Sequence, residues 1–175
     1  MKKLVYLVLT AAIVLAGAFY GLRASNAYAK APKIMEFDTM VGVPKAYTAA
    51  RNNPIRGING GGLPWVIGAA EGELKQSGDL EVSVTGLVLD PHDPDVIVRN
   101  LAGQNPIPNF KAIVSCQSVD ASANAKVTNV STGLFPATGS GNAKIEAHLD
   151  LPKPCIAPII FVTSPGGAWF AATGY

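Results

Sequence analysis

The stretch of sequence that decides the fold runs from Ala143 to Leu151 and reads AKIEAHLDL. Apolar and polar residues alternate along its whole length, with Ile145 and Leu149 on one face and Lys144 and Glu146 on the other. A period of two is typical of a half-buried β-strand, because successive side chains point to opposite faces of the sheet. The stretch therefore predicts a strand with one face in the core.

The same alternation recurs upstream in Leu80–Thr85, which reads LEVSVT. Gly86 then interrupts it, which predicts a bulge. The polar turn 76–79 joins this strand to the segment 65–75 as a hairpin. Seven strands are predicted in all, at residues 65–75, 80–89, 110–117, 127–135, 143–151, 155–163 and 168–173. With no convincing helix between them, they predict an all-β, immunoglobulin-like antiparallel sandwich.

Cys116 and Cys155 are the only two cysteines in the sequence. In an exported protein such a pair usually closes a disulfide. Cys116 ends the third predicted strand and faces inward, and Cys155 begins the sixth, so the bridge predicts that these two strands are antiparallel neighbours. The sixth strand is apolar on both faces and should be central, although Pro158 within it marks an edge or a bulge.

The N-terminal residues have the three parts of a secretory signal peptide: a basic start, an apolar run from Leu4 to Leu22, and the small-x-small site Ala27-Tyr28-Ala29. The apolar run is also long enough for an uncleaved membrane anchor. We therefore expect a signal peptide at 1–29, a flexible tether at 30–56 and a β-sandwich domain at 57–175. The protein would be secreted, periplasmic or on the cell surface, with membrane contact only if the segment is not cleaved.

Charge excludes one large class of partner. Removing residues 1–29 takes away three of the 14 basic residues and none of the 12 acidic ones, which leaves a net charge near −1. A chain without a basic surplus or a run of Lys and Arg lacks the electrostatic signature of nucleic-acid binding. We expect no nucleic-acid partner.

The densest acidic cluster contains Asp90, His92, Asp93 and Asp95. Three carboxylates and an imidazole could bind Ca²⁺ or form a mixed metal site, but the cluster lacks the glycine and distal glutamate of an EF-hand loop. An acidic turn between strands is the alternative, and we expect no cofactor.

Catalytic patterns are scarce. No Gly-x-Ser-x-Gly motif is present, no motif places either histidine, and paired cysteines supply no thiolate. Glu71 and Glu73 share one strand face and could act as the two carboxylates of a glycoside hydrolase. A solvated strand face explains them equally simply.

The aromatic residues allow two interpretations. Trp65, Trp169 and Phe170 lie on the first and last predicted strands. They could form an exposed strip that binds sugar or peptide, or they could pack in the core.

Four segments carry a resemblance, namely 54–59, 62–67, 110–116 and 154–174. Over residues 54–175 the chain resembles small exported bacterial β-rich proteins, and the most specific segment runs from Pro154 to Phe170. The stretch 90–100 is longer than in such proteins. The resemblance implies export and a β-rich domain, and it implies no activity.

Together these patterns predict a non-enzymatic binding or structural module at the cell surface or envelope, with a surface protein or glycan as partner. The alternatives are a small carbohydrate-active or hydrolytic enzyme that uses surface carboxylates, and a Ca²⁺-dependent adhesion module.

Overall fold

Short strands joined by turns make up most of residues 31–173, the part of the chain that a computed structural model describes. The chain divides into two units, Met1–Lys30 and Ala31–Tyr175, and every described residue belongs to the second unit. The predicted signal peptide lies outside the described residues. Between residues 31 and 173, no helix has the length and apolar character that crossing a bilayer requires.

Residues 31–173 form twelve strands, one short helix and two 3-10 turns. The strands are β1 (Lys33–Phe37), β2 (Val41–Gly42), β3 (Trp65–Val66), β4 (Ala69–Lys75), β5 (Asp79–Thr85), β6 (Val88–Leu89), β7 (Asn109–Val119), β8 (Ala125–Ser131), β9 (Phe135–Pro136), β10 (Ala143–His148), β11 (Ile156–Thr163) and β12 (Trp169–Ala172). The helix α1 is Pro94–Ile97, and the 3-10 turns are Lys45–Tyr47 and Ala49–Arg51. The predicted all-β class is confirmed at this level.

Two sheets and a short ribbon contain all the strands. The first sheet has the order β1-β4-β5-β10, and the second has the order β2-β12-β11-β7-β8, with β9 paired to β7. The ribbon is β3-β6. All of these strand pairs are antiparallel, and one isolated parallel bridge joins Gly60 to Trp169.

The alternation read from the sequence decides which face of the first sheet is buried. Leu80, Val82 and Val84 of β5 are buried, whereas Glu81 between them and Thr85 after them are exposed. Ile145 of β10 is buried on the same side. These residues share one hydrophobic core with Phe110, Val114 and Ile160 of the second sheet. The other face of the first sheet is therefore left to polar side chains.

The second sheet is covered on both faces at its centre. All residues from Ala112 to Cys116 in β7 and all of β12 are buried, so no alternation is visible there. The face away from the shared core is covered by residues 43–64, which we call the covering segment. Within it, Gly61 N donates to Trp169 O at 2.8 Å, and Arg56 Nη1 donates to Ser115 O at 2.7 Å.

The stretch predicted as a tether, residues 30–56, differs from that prediction. β1 pairs with β4 and β2 pairs with β12, so both strands are integral to the two sheets. The buried Val43 donates its backbone N–H to Phe170 O at 2.8 Å. The prolines and the irregular pattern suggested a linker, but the backbone hydrogen bonds of this segment are satisfied by the sheets. The folded unit begins well before residue 57.

Several local predictions are confirmed. β4 and β5 form the predicted hairpin, and the strand alternation breaks at Gly86, whose φ is +67°. β11 lies between β7 and β12, as its apolar character indicated. Its pairing with β7 shifts register between Ile156 and Ile159, a stretch that contains Pro158 and also Ala157, whose φ is +44°.

Candidate functional site

A groove of about 700 Å³ lies on the polar face of the first sheet. Uncharged residues of β1, β4 and β5 line part of it. The rest of the lining is five carboxylates and one lysine: Glu36, Asp38, Glu71, Glu73, Glu81 and Lys144. The whole sequence contains 12 acidic residues, so nearly half of them border this one groove.

Strand register aligns glutamates across the full width of this sheet. Glu36 of β1 is directly opposite Glu73 of β4, and Glu73 is opposite Glu81 of β5. Glu146 of β10 is in turn opposite Glu81. We call these four residues the glutamate row. Like charges directly opposite one another destabilise a sheet, so the row is a local electrostatic cost.

Three lysines offset part of that cost. Lys33 Nζ bonds Glu36 and also lies 2.8 Å from Glu73 Oε2, while Lys75 Nζ lies 3.0 Å from Glu73 Oε1. Lys144 forms an ion pair with Glu146. Hydrogen bonds to Glu36 and Glu73 raise the pKa of Lys33, the bond to Glu73 raises the pKa of Lys75, and the bond to Glu146 raises that of Lys144. The lysines therefore stay charged at neutral pH.

The centre of the groove carries negative charge that the neighbouring lysines offset only in part. Within residues 31–173, Glu71 and Glu81 form no salt bridge, in contrast to Glu73 between them, which binds two lysines. Glu71 and Glu81 are both exposed. The arrangement can therefore attract a cation without first breaking an internal ion pair at these two positions.

The sequence alone points to only part of this site. Glu71 and Glu73 can be predicted as a pair because they share a face of one strand. The approach of Glu36, Glu81 and Glu146 depends on the pairing of β1, β5 and β10, which no local pattern predicts. The alternation of apolar and polar residues does predict that Glu81 and Glu146 point outward, and this pattern is the one indication of them in the sequence.

The predicted disulfide is confirmed. Cys116 and Cys155 are bonded, with their Cα atoms 4.9 Å apart. Cys116 is fully buried, and β7 and β11 are antiparallel neighbours, as the bridge required. No free cysteine remains within the described residues, so the thiols take no part in the site.

The predicted metal-binding residues are not brought together as a metal site. Asp93 caps α1 by accepting from Asp95 N at 2.9 Å, and Asp90 accepts from His92 N at 2.9 Å. Lys45 Nζ lies 3.2 Å from Asp93 and 2.7 Å from Asp95, and its bond lowers the pKa of Asp95. The His92 side chain is 91% exposed. Across residues 31–173, no three His, Cys, Asp or Glu side chains are grouped to hold a metal ion.

The three aromatic residues proposed as an exposed strip are buried instead. Trp65, Trp169 and Phe170 are each no more than 4% exposed. The rings of Trp65 and Phe170 stack with centroids 4.0 Å apart, and Phe110 meets both edge-on. Their role is core packing, because β12 is covered on both faces and leaves no aromatic surface there.

Comparisons with protein-family models, with curated proteins and with solved structures find no match to this chain.

Proposed function

We propose that this protein is an exported, non-enzymatic binding module of immunoglobulin-like sandwich type, and that its acidic groove binds a basic segment of a surface or envelope protein. The observation that carries the proposal is the glutamate row, with Glu71 beside it. Departures from the rules of sheet stability are expected where function requires them. A row of like charges is such a departure.

The shape of the row favours an extended partner. Four neighbouring strands span about 14 Å at roughly 4.8 Å per strand spacing. A chain of lysines or arginines in extended conformation can place several cations along that distance. Pairing them with Glu71 and Glu81 would relieve the repulsion that the three sheet lysines leave in place.

Export is supported by two features that are independent of the groove. The N-terminal residues have the order of a secretory signal, and the disulfide between Cys116 and Cys155 is of the kind that persists in oxidising compartments. We infer cleavage after Ala29. The mature protein would then begin at Lys30, which the mass of the protein recovered from the envelope or medium would report directly.

The test of binding is a calorimetric titration of the purified protein with oligolysine at low ionic strength. We expect saturable binding that weakens as salt is added, because the contact is between exposed charges. The double variant Glu71→Gln and Glu81→Gln should lose most of the affinity. Oligoglutamate of equal length is the control ligand and should not bind.

Two results would contradict the proposal. One is equal binding of oligolysine by the protein and by the double variant. The other is the absence of any saturable binding at low salt, where electrostatic attraction is strongest.

A hydrolytic enzyme is the second candidate, because carboxylates line a groove as glycoside hydrolysis requires. Glu73 is held by two lysines, so the candidate catalytic pair is Glu71 and Glu81. Release of reducing sugar from a panel of envelope polysaccharides, abolished in Glu81→Gln, would support it. Binding of oligolysine together with no hydrolysis of any polysaccharide would favour the first candidate.

A further inference from the structure

The second sheet ends at β8, and no other strand of residues 31–173 pairs with the far side of this strand. β8 pairs with β7 in continuous register along its whole length. Thr132 N donates to Ala112 O beyond one end of the pair, and Asp120 N donates to Asn124 O beyond the other. Every second residue of an antiparallel pair makes such bonds. The even-numbered residues of β8 therefore bond to β7, and the backbone N–H and C=O groups of its four odd-numbered residues point toward the open edge.

β8 is also the least protected strand among those that end the two main sheets. Natural sheets blunt their edges with very short strands, bulges or charged side chains. β2 has two residues, β1 has a register shift and two charged residues, and β10 carries an exposed lysine and glutamate. β8 has seven residues in a regular ladder, with no proline and a single charge, Lys126. A long edge without these defences is open to pairing with another strand.

Apolar side chains lie next to this edge, on the face of the second sheet that the covering segment contacts. Ile156 of β11 and Val127 of β8 are both opposite Gln117 of β7, and they are 55% and 46% exposed. The covering segment reaches the next row along β8, where the Asn129 side chain donates to Arg56 O at 3.1 Å. The row of Ile156 and Val127 is therefore left open.

We propose that β8 pairs with β8 of a second copy of this chain, antiparallel and centred on Thr128, and that this forms a closed dimer with one continuous second sheet. In this register Ala125 is opposite Ser131 of the second copy, and Val127 is opposite Asn129. All four odd-numbered residues then exchange two bonds each with their partners, which makes about eight bonds. A standard-size interface has about 10 ± 5 direct hydrogen bonds, so the edge alone supplies most of what a specific dimer needs.

Charge favours a second copy as the occupant. Lys126 comes opposite Val130, and it lies about 14 Å along the strand from its own equivalent, beyond the Debye length of about 8 Å. The two Val127 side chains become diagonal neighbours at roughly 7–8 Å, so the apolar rows of both copies join. Paired residues share a face, so both acidic grooves lie on the same side of the dimer. If the groove binds as proposed above, a partner with two basic segments could engage both grooves at once.

Sedimentation velocity of the purified protein over about a hundredfold range of concentration tests the association. We expect a monomer–dimer equilibrium without larger species, because the described part of each chain offers one such edge and the dimer uses it. Val127→Lys should weaken dimerisation by about tenfold or more, because it places like charges next to each other across the edge. Val66→Lys is the matched control, since it changes a similarly exposed valine of β3, and it should leave dimerisation unchanged.

A pair of cysteines tests the register. The Cα atoms of Ala125 and of Ser131 in the second copy should be about 5.5 Å apart, within the range of about 4.4–6.8 Å for disulfides. Oxidation of the double variant Ala125→Cys and Ser131→Cys should give a covalent dimer on a non-reducing gel. Each single variant should not, because its two equivalent cysteines lie about 20 Å apart.

Four results would overturn the proposal. The protein could remain monomeric up to its solubility, or it could form species larger than a dimer. The single cysteine variants could cross-link as well as the double variant does. Finally, Val127→Lys could leave the dimer as strong as Val66→Lys does.

Discussion

Glu81 is the residue at which stability and the proposed function conflict most directly. It is opposite Glu73 on one side and Glu146 on the other, and it forms no salt bridge of its own in the described part of the chain. The lysines nearest to it, Lys75 and Lys144, are hydrogen-bonded to other glutamates. A negative charge at position 81 therefore contributes little to the stability of the fold, and it is available to attract a cationic ligand.

Replacing Glu81 by glutamine should therefore stabilise the protein. Removal of the like charge from the centre of the glutamate row should raise the free energy of unfolding by about 0.2–1 kcal/mol, the scale of a cross-strand pair. Urea unfolding at low salt measures it. Glu146→Gln is the matched control at the end of the row, and it should gain less because it loses the ion pair with Lys144. A destabilised Glu81→Gln protein would contradict this account of the row.

Asp79 links β5 to β10 through a titratable contact. His148 Nδ1 lies 2.8 Å from Asp79 Oδ1, and Ser77 Oγ donates to Asp79 Oδ2 at 2.7 Å. The bond to His148, followed by that to Ser77, lowers the pKa of Asp79. A carboxylate with a lowered pKa in the folded state stabilises the fold above its unfolded-state pKa, and that contribution disappears as the pH falls through the folded-state pKa.

The lowered pKa of Asp79 predicts how the stability of the protein depends on pH. At neutral pH the wild type should be more stable than Asp79→Asn, and the difference should persist on acidification until the pH falls below the ordinary aspartate range, where it should vanish. Unfolding titrations at a series of pH values compare the two proteins. If Asp79→Asn were as stable as the wild type at neutral pH, or if the difference remained at a pH well below the ordinary aspartate range, the assignment would be refuted.

At the scale of the element, the sequence predicts strands whose pattern is local and misses those that exist only through their partners. Leu80–Thr85 and Ala143–His148 alternate on their own, so both were identified. β2 has two residues, and its strand character comes from backbone bonds to β12 rather than from any pattern. The glutamate row was missed for the same reason, because register is a property of paired strands and no single strand encodes it.

Whether β2 is packed into the folded unit can be tested by adding one methyl group at Gly42. A Cβ added at Gly42 would lie 2.2 Å from Trp65 O, a contact that the backbone must move to relieve. We expect Gly42→Ala to lower the free energy of unfolding by about 1–3 kcal/mol, the usual cost of overpacking. Thermal and urea unfolding measure it.

Gly62→Ala is the matched control, because a Cβ there meets nothing within 4 Å. It should change stability far less. If Gly42→Ala were as harmless as Gly62→Ala, residues 30–56 would behave as the flexible tether that the sequence suggested, and the close packing of β2 against Trp65 would be wrong.

At the scale of the whole molecule, the distribution of charge matters more than its sum. The chain without residues 1–29 is nearly neutral, with 12 acidic residues against 11 basic ones. Five of those acidic residues line the groove on the first sheet, where a single lysine accompanies them. A nearly neutral protein can still bind a polycation strongly when its charges are segregated, because exposed charges act over about one Debye length rather than over the molecule.

If binding depends on where the charges lie rather than on the net charge, two variants that remove the same charge at different places should bind differently. Glu71→Gln and Asp150→Asn each remove one exposed negative charge, but Glu71 lines the groove and Asp150 lies outside it. If binding is local, Glu71→Gln should weaken oligolysine binding several-fold at low salt, whereas Asp150→Asn should leave it nearly unchanged. The slope of affinity against salt should also fall only in the first variant, because one fewer charge contact is formed. Equal losses in the two variants would mean that the partner senses the overall charge of the protein, and the groove would then have no special role.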